Sequence, residues 1–132
     1  MILVDTSVLI GFLGGANTPG TRHLEHLEAS DTPFYLAPTV IQEVLQGARD
    51  LAEWRRLERY LANQLCVDVQ HGLRSHVEAA RIYFDCRRKG LTVRSTADCL
   101  VAQIALEHGF ALLHDDRDFD AIRRVRRLRT LP

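Results

Sequence analysis

Asp115, Asp116, Asp118 and Asp120 crowd into six residues of the stretch LLHDDRDFDAI, directly after a short apolar run. A hydrophilic turn with a helix cap accounts for one or two of them, and the rest raise the question of a cation. Other acids in similarly apolar company answer it. Asp5 closes the run MILVD. Asp98 falls in the first turn of a segment whose other residues want burial. Glu43 is flanked by Val40, Ile41, Val44 and Leu45. An unpaired carboxylate inside a protein is costly, and several held together raise one another's pKa unless a cation neutralises them. An all-oxygen donor set suits Mg²⁺ or Mn²⁺. Zinc fits poorly, because no histidine stands at ligand spacing from another histidine or from a cysteine. Asp115 and Asp120 read as solvent-facing turn acids, and His114 as a satisfied residue at a strand end.

For these acids to meet, the elements carrying them must end at one edge. MILV, FYLA, CVDV, FALL and LRTL are short apolar runs or weak strands. Between them lie helical patterns: one after Thr6-Ser7 that stops at Gly14-Gly15, one from Pro19 to about 29, and one opening at Pro38-Thr39. Further patterns cover about 50–65, about 73–89 with Gly90 as terminator, from Ser95 or Thr96 to His108-Gly109, and FDAIRRV. Apolar strands alternating with helices predict a three-layer α/β/α sandwich around a mainly parallel sheet. In such a sheet, ligands gather at the carboxyl edge, where Asp5 and Asp115-Asp116 would both lie.

At 132 residues the chain is expected to form one domain, spanning 1–132. No apolar stretch approaches membrane-span length, and MILVDTSVLI lacks the basic start of a signal peptide, which predicts a cytoplasmic protein. Cys66, Cys86 and Cys99 are odd in number and without metal-like spacing, in keeping with reduced, packed thiols. Seventeen basic residues balance seventeen acidic ones, and Lys89 is the sole lysine. Five arginines fall within RRVRRLR, residues 123–129, so a local basic surface is compatible with the neutral sum.

Other carboxylate-and-magnesium folds fit less well. A haloacid-dehalogenase-like phosphatase wants a second aspartate two residues after the first, where Ser7 stands. A receiver domain wants a lysine after a late strand, whereas Lys89 ends a helix. Neither GxxxxGK[ST] nor GxGxxG occurs.

Across essentially its whole length the chain resembles the PIN domain family, and more narrowly the VapC toxins of prokaryotic toxin–antitoxin pairs. MILVDTSVLI is similar to the family's first-strand motif, with Asp5 as first catalytic acid and a hydroxyl neighbour at Thr6 or Ser7. TVIQEVLQGA resembles its glutamate helix, giving that role to Glu43. VRSTADCLVAQIALEHGFALLHDDRDFDAI resembles its C-terminal signature, with Asp98, Asp116 and Asp118 as the remaining acids. His114 departs from the threonine or serine of many relatives.

The resemblance implies a Mg²⁺- or Mn²⁺-dependent endoribonuclease, with Asp5, Asp98 and Asp116 holding the ion and Glu43 and Asp118 completing its surroundings. It also implies an RNA substrate, a homodimer and a cognate VapB-like antitoxin. A catalytically inactive PIN-like RNA-binding or interaction protein, a metal-dependent phosphatase and a DNA nuclease are the competing readings. Trp54, Leu57, Leu61, Ile82, Tyr83 and Phe84 supply apolar area for the expected twofold interface.

Overall fold

A computed structural model describes residues 1–132. Five strands, β1 (Ile2–Val4), β2 (Tyr35–Leu36), β3 (Leu65–Cys66), β4 (Ala111–Leu113) and β5 (Thr130–Leu131), form one sheet in the order β3-β2-β1-β4-β5. Every pairing is parallel. Leu3 stands between Tyr35 on one side and Leu112 on the other, and Leu112 in turn faces Thr130. Leu3, Val4, Leu36, Leu112 and Leu113 are completely buried. Their apolar runs lack alternation because helices cover both faces of the sheet.

Seven helices complete the sandwich: α1 (Thr6–Leu13), α2 (Pro19–Ala29), α3 (Pro38–Gln46), α4 (Leu51–Ala62), α5 (Leu73–Arg88), α6 (Thr96–His108) and α7 (Arg117–Arg123). Helices α1 to α4 pack on one another, and α5 to α7 do the same. From β1 the chain moves outward to β2 and β3, then returns to the other side of β1 for β4 and β5. Right-handed crossovers therefore put the two helix groups on opposite faces. The reversal falls between β1 and β4, and the crevice at their carboxyl ends is the topological switch point of the sheet. None of the helices is long and apolar enough to cross a membrane.

Local chemistry sets the boundaries. Thr18 caps α2 through a reciprocal pair with Thr21, and Pro19 occupies the first helical position, where a missing N–H costs nothing. At the far end of α6, Gly109 adopts φ +68°, a left-handed stop that a side chain would strain. The helix expected over 50–65 ends earlier, at Ala62, because Leu65 must extend to pair with Tyr35. The strand expected at CVDV shifts to Leu65–Cys66 for the same reason. It sits exposed at the sheet edge, with one further bond from the Val67 N–H to the Leu36 carbonyl.

Candidate metal centre

The switch point is where the acids gather. Asp5 follows β1 and caps α1, and its own N–H donates to the Leu113 carbonyl of β4 at 2.9 Å. The Ser7 N–H and hydroxyl both donate to Asp5 Oδ2, at 3.0 and 2.7 Å. Ser7 Oγ then accepts the Asp115 N–H at 3.0 Å, so one hydroxyl ties the end of β1 to the loop after β4. Of the two hydroxyl neighbours expected of Asp5, Ser7 is the one that bonds it.

On the β4 side, Asp116 caps α7 by accepting the Asp118 N–H at 2.9 Å. The buried His114 accepts the Asp116 N–H on Nδ1 at 3.1 Å and packs against the Phe119 ring, 4.9 Å between centroids. Its neutral ring thus carries its proton on Nε2. Asp98 reaches the same place from the first turn of α6. Carboxylate oxygens of Asp98, Asp116 and Asp118 lie within 4.8 Å of one another. The tightest trio thus contains Asp118 where the sequence reading put Asp5. Asp5 stands next to it, near enough for its charge to raise the pKa of both Asp98 and Glu43. Glu43, half-buried on the second turn of α3, is further out, with a long 3.5 Å bond from the Thr39 hydroxyl.

Against five acids the centre sets one cation, which sequence reasoning did not single out. Arg94, on the link before α6, donates its N–H to Asp118 Oδ2 at 2.9 Å, and its guanidinium lies 3.4 Å from Asp118 and 3.8 Å from Asp116. An arginine four residues before a buried aspartate was the only signal, and spacing across a loop specifies no contact. Asp5, Glu43 and Asp98 have no ion-pair partner.

Asp115 is exposed, as its turn position predicts, and it also makes a contact that spacing does not reveal. Its Oδ2 accepts the Thr18 hydroxyl at 2.6 Å, and a Cβ on Gly20 would come within 2.6 Å of its carboxylate. Asp115 therefore fastens the metal-side loop to the start of α2, and Gly20 leaves it room. Asp120 is exposed and makes no comparable bond.

Electrostatics follow from burial. Desolvation, then the charge of Asp5 and the neighbouring carboxylate of Asp118, push the Asp98 carboxyl up to about 8. Burial also raises Asp5, against the Ser7 bonds, and raises Glu43. Burial works against the charge of Asp118 too. There the Arg94 N–H, the Asp98 carboxyl and the guanidinium outweigh it and hold Asp118 below the ordinary range. Asp98 Oδ2 has no hydrogen-bond donor near it, and its neighbour Asp118 is another acceptor, so the pair must share a proton or a cation. Thr6 Oγ1, beside Asp5, is the only other buried side-chain oxygen in the molecule without a partner. Asp98, the carboxylate of the two, belongs to the acidic trio and offers a hard oxygen. The residues present therefore fit a divalent cation.

A pH dependence follows. Native Asp98 keeps its proton up to about 8, whereas the unfolded carboxyl loses it near 3.8. Its stabilising contribution is complete below the lower value and is lost as pH rises through the upper one. Asp5 and Glu43 act in the same direction, and Asp118 in the opposite one. Without metal, in chelator, the melting temperature is expected to fall by several degrees between pH 5.5 and 8.5, and Mg²⁺ to restore it at the higher pH. Equal melting temperatures at both values would remove the buried carboxyl from the account.

Comparison with known proteins agrees with this geometry. Residues 2–125 match the family model of the PIN domain. A VapC ribonuclease of Mycobacterium bovis and Ribonuclease VapC11 of Mycobacterium tuberculosis are each 33% identical over 129 residues, covering 97% of this chain and 96% of theirs. Among solved structures, VapBC2 from Rickettsia felis bound to a DNA fragment from their promoter aligns with a TM-score of 0.75 at 17% identity. It covers 98% of this chain and 97% of that one. VapBC-1 from nontypeable Haemophilus influenzae gives 0.73 at 15% identity over 98% and 96%. At such identities the structures speak for the fold, while the curated relatives and the family model speak for descent. With its acids assembled at the switch point of the sheet, the chain belongs to the PIN domain family and, within it, to the VapC-type toxin ribonucleases.

Proposed function

We propose that the protein is a Mg²⁺- or Mn²⁺-dependent endoribonuclease, the toxin of a type II toxin–antitoxin pair, hydrolysing phosphodiester bonds in RNA. The observation that carries this reading is the buried, donor-less Asp98 Oδ2, facing Asp118 and Asp116 at the open edge of the sheet. In this reading Asp5, Asp98 and Asp116 hold the ion. Asp118, its oxygens already engaged by Arg94, orients the group from the side. When bound, a divalent ion supplies Lewis acidity, acidifying water and offsetting charge on the phosphoryl oxygens. Glu43, its pKa raised by burial and by Asp5, is suited to accept a proton from water at Oε1 or Oε2. Ser7 keeps the Asp5 carboxylate in place. Arg94 screens the acids until a phosphate arrives, and then serves as its nearest guanidinium.

The test is cleavage of a structured RNA, a single-stranded DNA and a small phosphomonoester in Mg²⁺ or Mn²⁺, then in excess chelator. Cutting of RNA that chelator abolishes is the expected outcome. Cleavage indifferent to chelator, or confined to DNA or the monoester, refutes the assignment.

The proposal includes a homodimer and a cognate VapB-like antitoxin that covers the acidic crevice. Of the six residues expected at a twofold interface, Leu61 and Ile82 face the core instead. Trp54 of α4 and Tyr83 and Phe84 of α5 remain 38 to 50% exposed, and on α5 Leu73 and Val77 are exposed as well. Light scattering at micromolar concentration is expected to give about twice the 15.0 kDa of one chain. A value of one chain mass would exclude the dimer.

A further inference from the structure

The run RRVRRLR is not absorbed by the acidic centre. It begins at the end of α7, and the structure sets it against the end of α5. There Asp85, Arg88, Lys89, Arg124, Val125 and Arg126 line an open cavity of about 420 Å³. Its one acid is already consumed. Asp85 accepts from Arg81 and from Arg126, each at 2.9 Å, and Arg126 is pinned further by a 2.9 Å bond to the Val125 carbonyl. Arg88, Lys89 and Arg124 have no acidic partner, nor do the exposed Arg123 and Arg127 beside them. Two helix C-termini account for one favourable cation each, and Arg88 also lies over the Phe84 ring, 5.8 Å from its centroid; the remaining cations have no acid to offset them. In a chain of zero net charge this is a local excess, not a general basicity.

We propose that this cavity between the ends of α5 and α7 binds the sugar-phosphate backbone of single-stranded RNA, beyond the site of cleavage. The inference rests on the ribonuclease reading and deepens it. Helix α7 is capped by Asp116 at the acidic centre, and Arg124 lies eight residues on, about 12 Å along the helix axis. A strand whose scissile phosphate meets the acids can therefore lay phosphates a few nucleotides away on Arg88, Lys89 and Arg124. Nothing aromatic lines the cavity, so contact is with the backbone and is indifferent to sequence. Guanidinium groups suit phosphate through paired hydrogen bonds, while the fixed Asp85–Arg126 pair shapes the wall without adding charge.

The experiment uses the full chain carrying Arg88→Gln, Lys89→Gln and Arg124→Gln together. Binding of a fluorescent single-stranded RNA is followed in chelator, where no cleavage occurs, over a range of KCl. Affinity at about 100 mM salt should fall about tenfold or more, and the slope of log Kd against log salt should shrink by about 2, three phosphate contacts at ~0.7 each. KM for a long RNA should rise with kcat within about twofold, while cleavage of a four-nucleotide substrate stays unchanged. Wild-type slope and affinity in the variant overturn the proposal, as does a loss confined to duplex DNA or to an acidic peptide. If the triple variant melts early, the single exposed change Arg124→Glu is read by the same binding assay and decides alike. Salt-dependent RNA binding that the variant loses, in a protein that cuts no RNA, keeps the site and refutes the nuclease reading instead.

Discussion

Asp98→Asn is expected to reduce RNA cleavage by about 100-fold or more while leaving the fold intact. The replacement keeps size and removes the charge, so packing at the start of α6 is preserved. Losing a group that merely supports a metal ligand costs about 10- to 100-fold, and Asp98 lies in the innermost trio. In metal-free protein at pH 8.5 the variant should melt higher than wild type, because the repulsion among Asp5, Asp98 and Asp118 is relieved. Added Mg²⁺ should then stabilise wild type and leave the variant unmoved, a readout independent of activity. Asp116→Asn and Asp5→Asn are expected to behave alike, Asp118→Asn to fall between, and Asp120→Asn to stay near wild type. Full cleavage by Asp98→Asn, or a Mg²⁺-dependent rise in its melting temperature equal to that of wild type, would remove this residue from the centre.

The acids could be found in the sequence because each violates its surroundings. An aspartate at the end of MILV or inside an almost wholly apolar helix has no solvent to explain it, and strand-end placement in a parallel sheet sends such residues to one edge. The sheet itself was legible from the same apolar runs. Contacts made across loops were not. Arg94 reaches Asp118 from a segment without regular structure, and Asp115 meets Thr18 across 97 residues of chain. Neither periodicity nor capping rules touch such pairs, which depend on how β1 and β4 are juxtaposed. Asp118 illustrates the limit. From spacing it is an acid in the first turn of a short helix, and only the arrival of α6 from the other direction puts it against Asp98. The apolar residues of α4 and α5 divide for a similar reason. Consecutive residues such as Ile82, Tyr83 and Phe84 cannot share a helix face, and the structure buries the first while exposing the other two.

The largest loss of stability is expected from a residue that carries no charge. Phe119 is completely buried in the first turn of α7, against the His114 ring, with Asp116 and Asp118 on the same turn. Phe119→Ala opens a cavity there and should cost about 3–5 kcal/mol, a large share of the ~5–15 kcal/mol that holds a domain together. For a chain of this size the melting temperature should drop by about 10 °C or more. Cleavage measured well below that temperature should fall as well, although no acid is altered, because the turn that aims Asp116 and Asp118 has lost its anchor. Phe119→Leu retains most of the apolar volume and should keep most of both properties. The pair separates anchoring from chemistry. Asp98→Asn abolishes cleavage without loss of stability, whereas Phe119→Ala loses the two together and Phe119→Leu regains them together. Wild-type melting in Phe119→Ala would mean that α7 is held by something other than this ring, and the short helix would no longer explain how its two aspartates are positioned.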